Sequence, residues 1–265
     1  MPKLRHLALH TADPESTANF YKRVFDMKEL HRSKSPMADG MHLSDGTVHL
    51  ALLRYRSPEL AAAYGSSSAL GMSHIGFWLD EADAEEIRRR LTEAGAVRGE
   101  GPGVGAPGVF FEEKWRGPDG VVIDLSDAKI GQAQYQAKLN DGERLPKLNH
   151  IALYSSAPER TANFYKRVFA MQESGRGETA FAETISLSDG YVDFSVAGFR
   201  SPEIAAQRHY PFSFGLSHFG FLVEDREAAA QRLCAVGAER VKNIPNVADK
   251  WKGPDGVVFD ITDKG

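Results

Sequence analysis

"TANFYKRVF" spans residues 17–25 and recurs unchanged at 161–169, an offset of 144 residues. Nine identical residues in succession do not recur by chance in a chain of 265, so the sequence contains an internal duplication. Other blocks keep the same register. "LRHLAL" (4–9) matches "LNHIAL" (148–153), "LSDG" (43–46) matches 187–190, and "RSPE" (56–59) matches 200–203. "GMSHIGF" (71–77) matches "GLSHFGF" (215–221). The last block, "KWRGPDGVVIDLSD" (114–127), returns as "KWKGPDGVVFDITD" (250–263), eight residues earlier than the register requires. The second copy is therefore shorter, mostly in the region of "RGEGPGVGAPG" (98–108).

These offsets divide the chain into a first domain over 1–127, a polar linker over 128–147 and a second domain over 148–265. Within the first half, alternation predicts a strand at 4–10. A helix is expected at about 14–26, with Asp13 as N-cap and Pro14 at the first helical position. Phe20 with Val24, and Tyr21 with Phe25, give that helix a buried face, while Lys22 and Arg23 lie on its solvated side. Strands follow near 41–44 and 47–54 around the turn signal "SDG". The pattern restarts with a strand at 72–79, a helix at about 81–94, and strands near 108–114 and 121–126 around "GPDG". Each half thus reads as two β-α-β-β(-β) units and the whole chain as four, an α+β fold.

The bulk composition narrows the function classes. With 42% hydrophobic and 26% charged residues, the chain reads as a globular protein. A formal net charge of −4 without a basic block argues against nucleic acid as a partner. The single cysteine, Cys234, rules out an internal disulfide and fits a reducing compartment. The stretch "MPKLRHLALHTADPE" lacks a signal peptide's apolar run, and no window offers the roughly 18–20 apolar residues of a membrane span. A cytoplasmic protein without membrane partners is expected, as monomer or homodimer. No nucleotide fingerprint occurs, because "GEGPGVG" lacks the strand and helix that must flank one.

The duplication also filters the nine histidines. Only His6 with His150, and His74 with His218, keep their identity; His10, His31, His42 and His49 face Tyr154, Gly175, Ser186 and Asp193. Each recurrent pair shares its half with an acid that interrupts an apolar strand, Asp124 in "VVIDL" and Asp260 in "VVFDI". A buried carboxylate needs compensation, by a salt bridge, by N–H donors or by a metal. Two imidazoles and one carboxylate with open positions suit Fe(II), and would also accept Mn, Ni or Zn.

Taken together, "H…NFYKRVF.M…LSDG…SHIGF…GPDGVVID" resembles the vicinal oxygen chelate superfamily of glyoxalases, bleomycin-resistance proteins and extradiol dioxygenases, over nearly the whole chain, twice. The resemblance implies paired βαβββ units curved into an open cup around a divalent metal. It carries the metal ligands onto His6, His74 and Asp124 in one half, and onto His150, His218 and Asp260 in the other. The glyoxalase-type fourth ligand falls on His49 and Asp193. Two departures stand out: the terminal ligand is Asp where relatives usually have Glu, and the extradiol tyrosine is replaced by Lys114 or Lys250. Lys114 and Lys250 are candidates to hold an oxyanion of the substrate, because lysine and its neighbouring tryptophan alternate along a strand and only one of them can face the cup. Arg56 and Arg200 read as surface ion-pair partners.

Three functions follow from the resemblance. The first is an Fe(II) ring-cleaving dioxygenase whose small-molecule substrate chelates the metal through vicinal oxygens. The second is a glyoxalase-I-like lyase or isomerase with a metal-stabilised enediolate, and the third a drug-sequestering binder. Sites could assemble within each half, or at the seam from His6 with His218 and Asp260.

Overall fold

The computed structural model of the chain describes residues 1–63, 69–99, 112–135, 144–201, 203–204, 214–241 and 249–263. The first half runs β1 (Lys3–His10), α1 (Pro14–Phe25), β2 (Lys28–Lys34), β3 (Ala38–Ser44), β4 (His49–Tyr55), α2 (Pro58–Ala63), β5 (Gly71–Leu79), α3 (Glu81–Glu93), β6 (Val97–Arg98), β7 (Glu113–Arg116), β8 (Val122–Asp127) and α4 (Ala128–Tyr135). The second half repeats it as β9 (Lys147–Tyr154), α5 (Pro158–Phe169), β10 (Gln172–Glu178), β11 (Ala182–Ser188), β12 (Asp193–Phe199), β13 (Gly215–Leu222), α6 (Arg226–Ala235), β14 (Glu239–Arg240), β15 (Asp249–Lys252) and β16 (Val258–Thr262). Among the described residues no helix is long and apolar enough to cross a membrane.

Each half builds its own eight-stranded sheet, ordered β2-β3-β4-β1-β5-β8-β7-β6 and β10-β11-β12-β9-β13-β16-β15-β14. The α+β architecture and its four-unit duplication are as expected. The first strand of each half is central because both its neighbours need it. β1 pairs parallel to β4 and antiparallel to β5, so the two units of a half join edge to edge through β1 and β5. Four strands escaped the sequence reading, the two-residue β6 and β14 and the longer β2 and β10. β2 and β10 are mostly charged or small, and in β10 every residue is exposed, so neither carries an apolar alternation. The 128–147 linker opens with α4, a helix packed close enough on Trp78 that a Cβ at Gly131 would come within 2.8 Å of the indole. The expected strand near 108–114 is seen only from Glu113, its earlier residues lying outside the described ones.

Asp13 caps α1 as expected, accepting hydrogen bonds from the Glu15 and Ser16 amides at 3.1 and 3.2 Å. The helix does more than cover its own sheet. Tyr21 and Phe25 are buried against Phe219, Phe221 and Phe259 of the other half. The repeat-related Phe169 packs on Phe77 in the same way. A single apolar core therefore runs through both halves.

The repeated turns lock this arrangement. The Leu148 amide donates to Asp45 Oδ2 at 2.7 Å, and the Leu4 amide donates to Asp189 Oδ2 at 2.8 Å. The "PDG" turns act alike: Asp119 accepts from Ser156 and Thr161, and Asp255 accepts from Thr11. Each aspartate thus anchors the partner half, the reciprocal contact pattern of a two-fold dimer fused into one chain.

Candidate metal centre

One row of residues across the first sheet defines the site. Strand register places His49 (β4) beside His6 (β1), His6 beside Gly76 (β5), Gly76 beside Asp124 (β8), and Asp124 beside Lys114 (β7). The second sheet has the same row: Asp193, His150, Gly220, Asp260 and Lys250. Cross-strand neighbours share a face, so these side chains all rise from the same side. His74 joins them from the next row, opposite Ala8, and His218 does so opposite Ala152.

The glycine in the middle of the row is what lets the ligands meet. A Cβ on Gly76 would lie 2.9 Å from His6 Cβ and 3.2 Å from Asp124 Cβ. On Gly220 it would fall 1.8 Å from Asp260 Oδ1. The recurrence of glycine in "SHIGF" and "SHFGF" is explained by this crowding.

The three donor atoms of the first half converge. His6 Nε2 is 3.1 Å from His74 Nε2, His74 Nε2 is 3.2 Å from Asp124 Oδ2, and His6 Nε2 is 3.9 Å from the same oxygen. An ion bonded to nitrogen and oxygen at about 2.0–2.2 Å sets neighbouring donors about 3.0–3.5 Å apart, so the two separations that involve His74 fit a first-row divalent metal, while His6 and Asp124 stand slightly wider. The chemistry of the set fits as well: the Nδ1 of His74 is occupied by Ser73 Oγ at 2.9 Å, which leaves Nε2 to face the cluster. His150, His218 and Asp260 form the corresponding cluster, with His218 Nε2 3.5 Å from Asp260 Oδ2 and Ser217 Oγ 3.0 Å from His218 Nδ1. Both clusters lie within a half; the seam arrangement is not the one the structure adopts.

Lys114 faces the cup and Trp115 the core. Lys114 Nζ stands 2.6 Å from the Asp124 carboxylate and donates toward His74 Nε2 at 3.3 Å. Burial alone would lower the Lys114 ammonium's pKa, but Asp124 outweighs it and holds the group above its ordinary value. Burial would likewise raise the Asp124 carboxyl, yet His74 and Lys114 keep it well below the usual carboxylate range. Lys250 lies 3.2 Å from Asp260 Oδ2, and there burial prevails and pushes the amine down. His6 is pushed well down and His218 to about 4, in both cases chiefly by burial. Both are therefore neutral at physiological pH, as metal ligation requires.

His49 and Asp193, the expected fourth ligands, occupy matched register positions but stand outside the clusters of three. His49 is fully buried behind His6, its Nδ1 2.7 Å from His6 Nδ1 on the far side of the ring from His74. Asp193 is exposed at the end of β12. Arg56 and Arg200 pair with Asp39 at 2.9 Å and with Glu178 at 2.6 Å at the surface, as read from the sequence.

A cavity of about 220 Å³ opens over the first cluster, lined by Ser33, Met37, Leu53, Tyr55, His31 and His42 besides His6, His74 and Lys114. His31 and His42 escaped the sequence reading because the filter kept only residues present in both halves. Their signal was period-two placement: His31 and Ser33 alternate along β2, and His42 lies across from His31. The equivalent positions Gly175, Gly177 and Ser186 carry no rings, so the two cups differ in their walls.

The sequence matches the Glyoxalase/Bleomycin resistance protein/Dioxygenase superfamily over residues 3–125 and again over 147–260, and the chain belongs to that superfamily. No curated protein matches it. Among solved structures, a mutant of 4-hydroxymandelate synthase from Streptomyces coelicolor superposes with a TM-score of 0.74 at 17% identity, covering 99% of this chain and 92% of the other. The Mn(II)-bound glyoxalase from Novosphingobium aromaticivorans gives 0.66 at 17% identity, with 99% and 82% covered. The 2,3-dioxygenase LapB from Pseudomonas sp. KL28 gives 0.66 at 16%, with 99% and 92% covered. At these identities the likeness is one of fold.

Proposed function

We propose that the chain is a divalent-metal-dependent enzyme whose first half holds Fe(II) through His6, His74 and Asp124 and cleaves a small, vicinally oxygenated ring with dioxygen. The observation that carries this reading is the three-donor cluster, two of whose members, His6 and His74, line a cavity walled by aromatic and imidazole rings. When bound, the metal would supply a Lewis-acidic centre for the substrate oxygens and a path by which electrons of the substrate ring reach dioxygen.

The protein's own groups do the rest. Lys114, held cationic beside Asp124, neutralises the oxygen that the substrate presents as an anion. His31, whose pKa burial lowers, is neutral at physiological pH and takes the proton of a substrate hydroxyl at a ring nitrogen. This gives the site an acid–base group even though the extradiol tyrosine position is Lys114. Met37, Ala38 and Leu53 form the apolar wall that excludes water from the ring.

The size of the cavity supports a single ring. About 220 Å³ lies below the roughly 300–1,000 Å³ of pockets for drug-sized ligands, and a glutathione conjugate exceeds it. The place of His49 behind His6 also favours three protein ligands over the four of a glyoxalase-like set. Oxygen uptake by the anaerobically iron-loaded protein against a panel of catechols, with absorbance of the ring-opened product, tests the reading. Uptake with at least one catechol is expected. No uptake, together with nickel- or zinc-dependent turnover of a hemithioacetal, would replace it with the lyase.

A further inference from the structure

We infer that in the first half His49 and His42 are positioning residues: a directional hydrogen-bonded chain from His6 to Ser33 fixes which nitrogen of His6 faces the metal. This inference rests on the metal reading above.

Three imidazoles and a hydroxyl lie in sequence. His6 Nδ1 is 2.7 Å from His49 Nδ1, His49 Nε2 is 2.9 Å from His42 Nδ1, and His42 Nε2 is 2.9 Å from Ser33 Oγ. A neutral imidazole has one N–H and one bare nitrogen, so each link must have a donor and an acceptor. Ligation needs His6 Nε2 bare, and its hydrogen then sits on Nδ1 and is donated to His49. His49 accepts at Nδ1 and must donate from Nε2. His42 accepts at Nδ1 and donates from Nε2 to Ser33. One choice at His6 therefore sets every tautomer along the chain. The opposite polarity would put a hydrogen on His6 Nε2, aimed at His74 Nε2 3.1 Å away, where the ion would go.

The far end of the chain returns to the cavity, since His42 and Ser33 both line it. With Ser33 Oγ accepting from His42, its own hydrogen is left to donate to a substrate acceptor. Metal at His6 and a hydrogen-bond donor at the cavity wall are thereby linked through one chain. The second half has no such chain, because Asp193, Ser186 and Gly177 hold the positions of His49, His42 and Ser33.

Outer groups that orient a metal-binding histidine are worth 10–100-fold in metal affinity, about this size being expected here. Zinc titration of the full chain, followed by 15N spectra of the imidazoles, tests the inference. In the zinc-loaded wild type, His6 should carry its hydrogen on Nδ1, and His49 and His42 on Nε2. His49→Leu should weaken zinc at the first site by about 10–100-fold while the second site on the same chain keeps its affinity. His49→Asn, whose Oδ1 stands where Nδ1 stood, should recover most of the loss. A hydrogen on His49 Nδ1, or an unchanged first-site affinity in His49→Leu, would overturn the inference alone. Absence of zinc from His6 in the wild type would overturn the metal reading with it.

Discussion

Phe25 and Phe221 lie face to face across the boundary between the halves, ring centres 3.7 Å apart and planes 7° from parallel. Their repeat mates exchange roles, Phe169 stacking on Phe77 at 3.8 Å and 3°. The duplicated helix therefore serves as the joint of the molecule. Each copy presents its last aromatic to the central strand pair of the other half.

Phe25→Ala or Phe221→Ala should each cost about 3–5 kcal/mol, because both rings are fully buried and leave a cavity. The double variant should cost less than the sum, with a coupling of about 0.5–1.5 kcal/mol. Urea unfolding of the four proteins measures this. Strict additivity would mean that the stacking itself contributes nothing.

Asp119 should make the joint acid-sensitive. Burial would raise its carboxyl, but hydrogen bonds from Ser155, Ser156 and Thr161 outweigh that and hold it below its ordinary value. A carboxyl with a lower pKa in the folded state stabilises the protein above its unfolded value of about 3.9, and that contribution disappears as pH falls through the folded value. Asp119→Asn should therefore be less stable than wild type at about pH 6, and the gap should close toward about pH 3. Thermal unfolding at both pH values reads it; a gap that widens on acidification would contradict the sign.

Gly76→Ala and Gly220→Ala should each abolish metal binding in their own half and spare the other. The added methyl would need the space that His6 and Asp124, or His150 and Asp260, now occupy. Calorimetric zinc titration would report one lost site per substitution. Retention of both sites in Gly220→Ala would show that the ligands do not need this approach.

Lys114→Met should destabilise the metal-free protein by about 3–5 kcal/mol, since it leaves the buried Asp124 carboxylate without its cation. A divalent metal should restore more stability to this variant than to wild type, because it no longer shares Asp124 with an ammonium. Unfolding with and without zinc decides the matter. Equal stabilisation of the two proteins would remove Lys114 from competition with the metal.

Much of this was legible in the sequence. The 144-residue register fixed the duplication, and apolar periodicity located β1, α1, β5 and α3 to within a residue or two. The three-residue clusters emerged from asking which histidines recur beside an interrupted apolar strand. What escaped has physical causes. β2 and β10 are polar edge strands held by backbone pairing, which leaves no hydrophobic pattern. Asp45, Asp119, Asp189 and Asp255 sit in turns whose local chemistry is sufficient reason for them, so their grip on the other half is invisible until the halves meet. His31, His42 and the place of His49 depend on cross-strand register, which one strand's sequence does not contain.

The most direct test counts metal ions. Native mass spectrometry of the zinc-loaded chain should find two ions in wild type and one in His74→Ala. The double variant His74→Ala/Asp124→Ala should still hold one, because both residues belong to the same cluster. Loss of both ions in the double variant, or none in wild type, would contradict a metal centre built within each half.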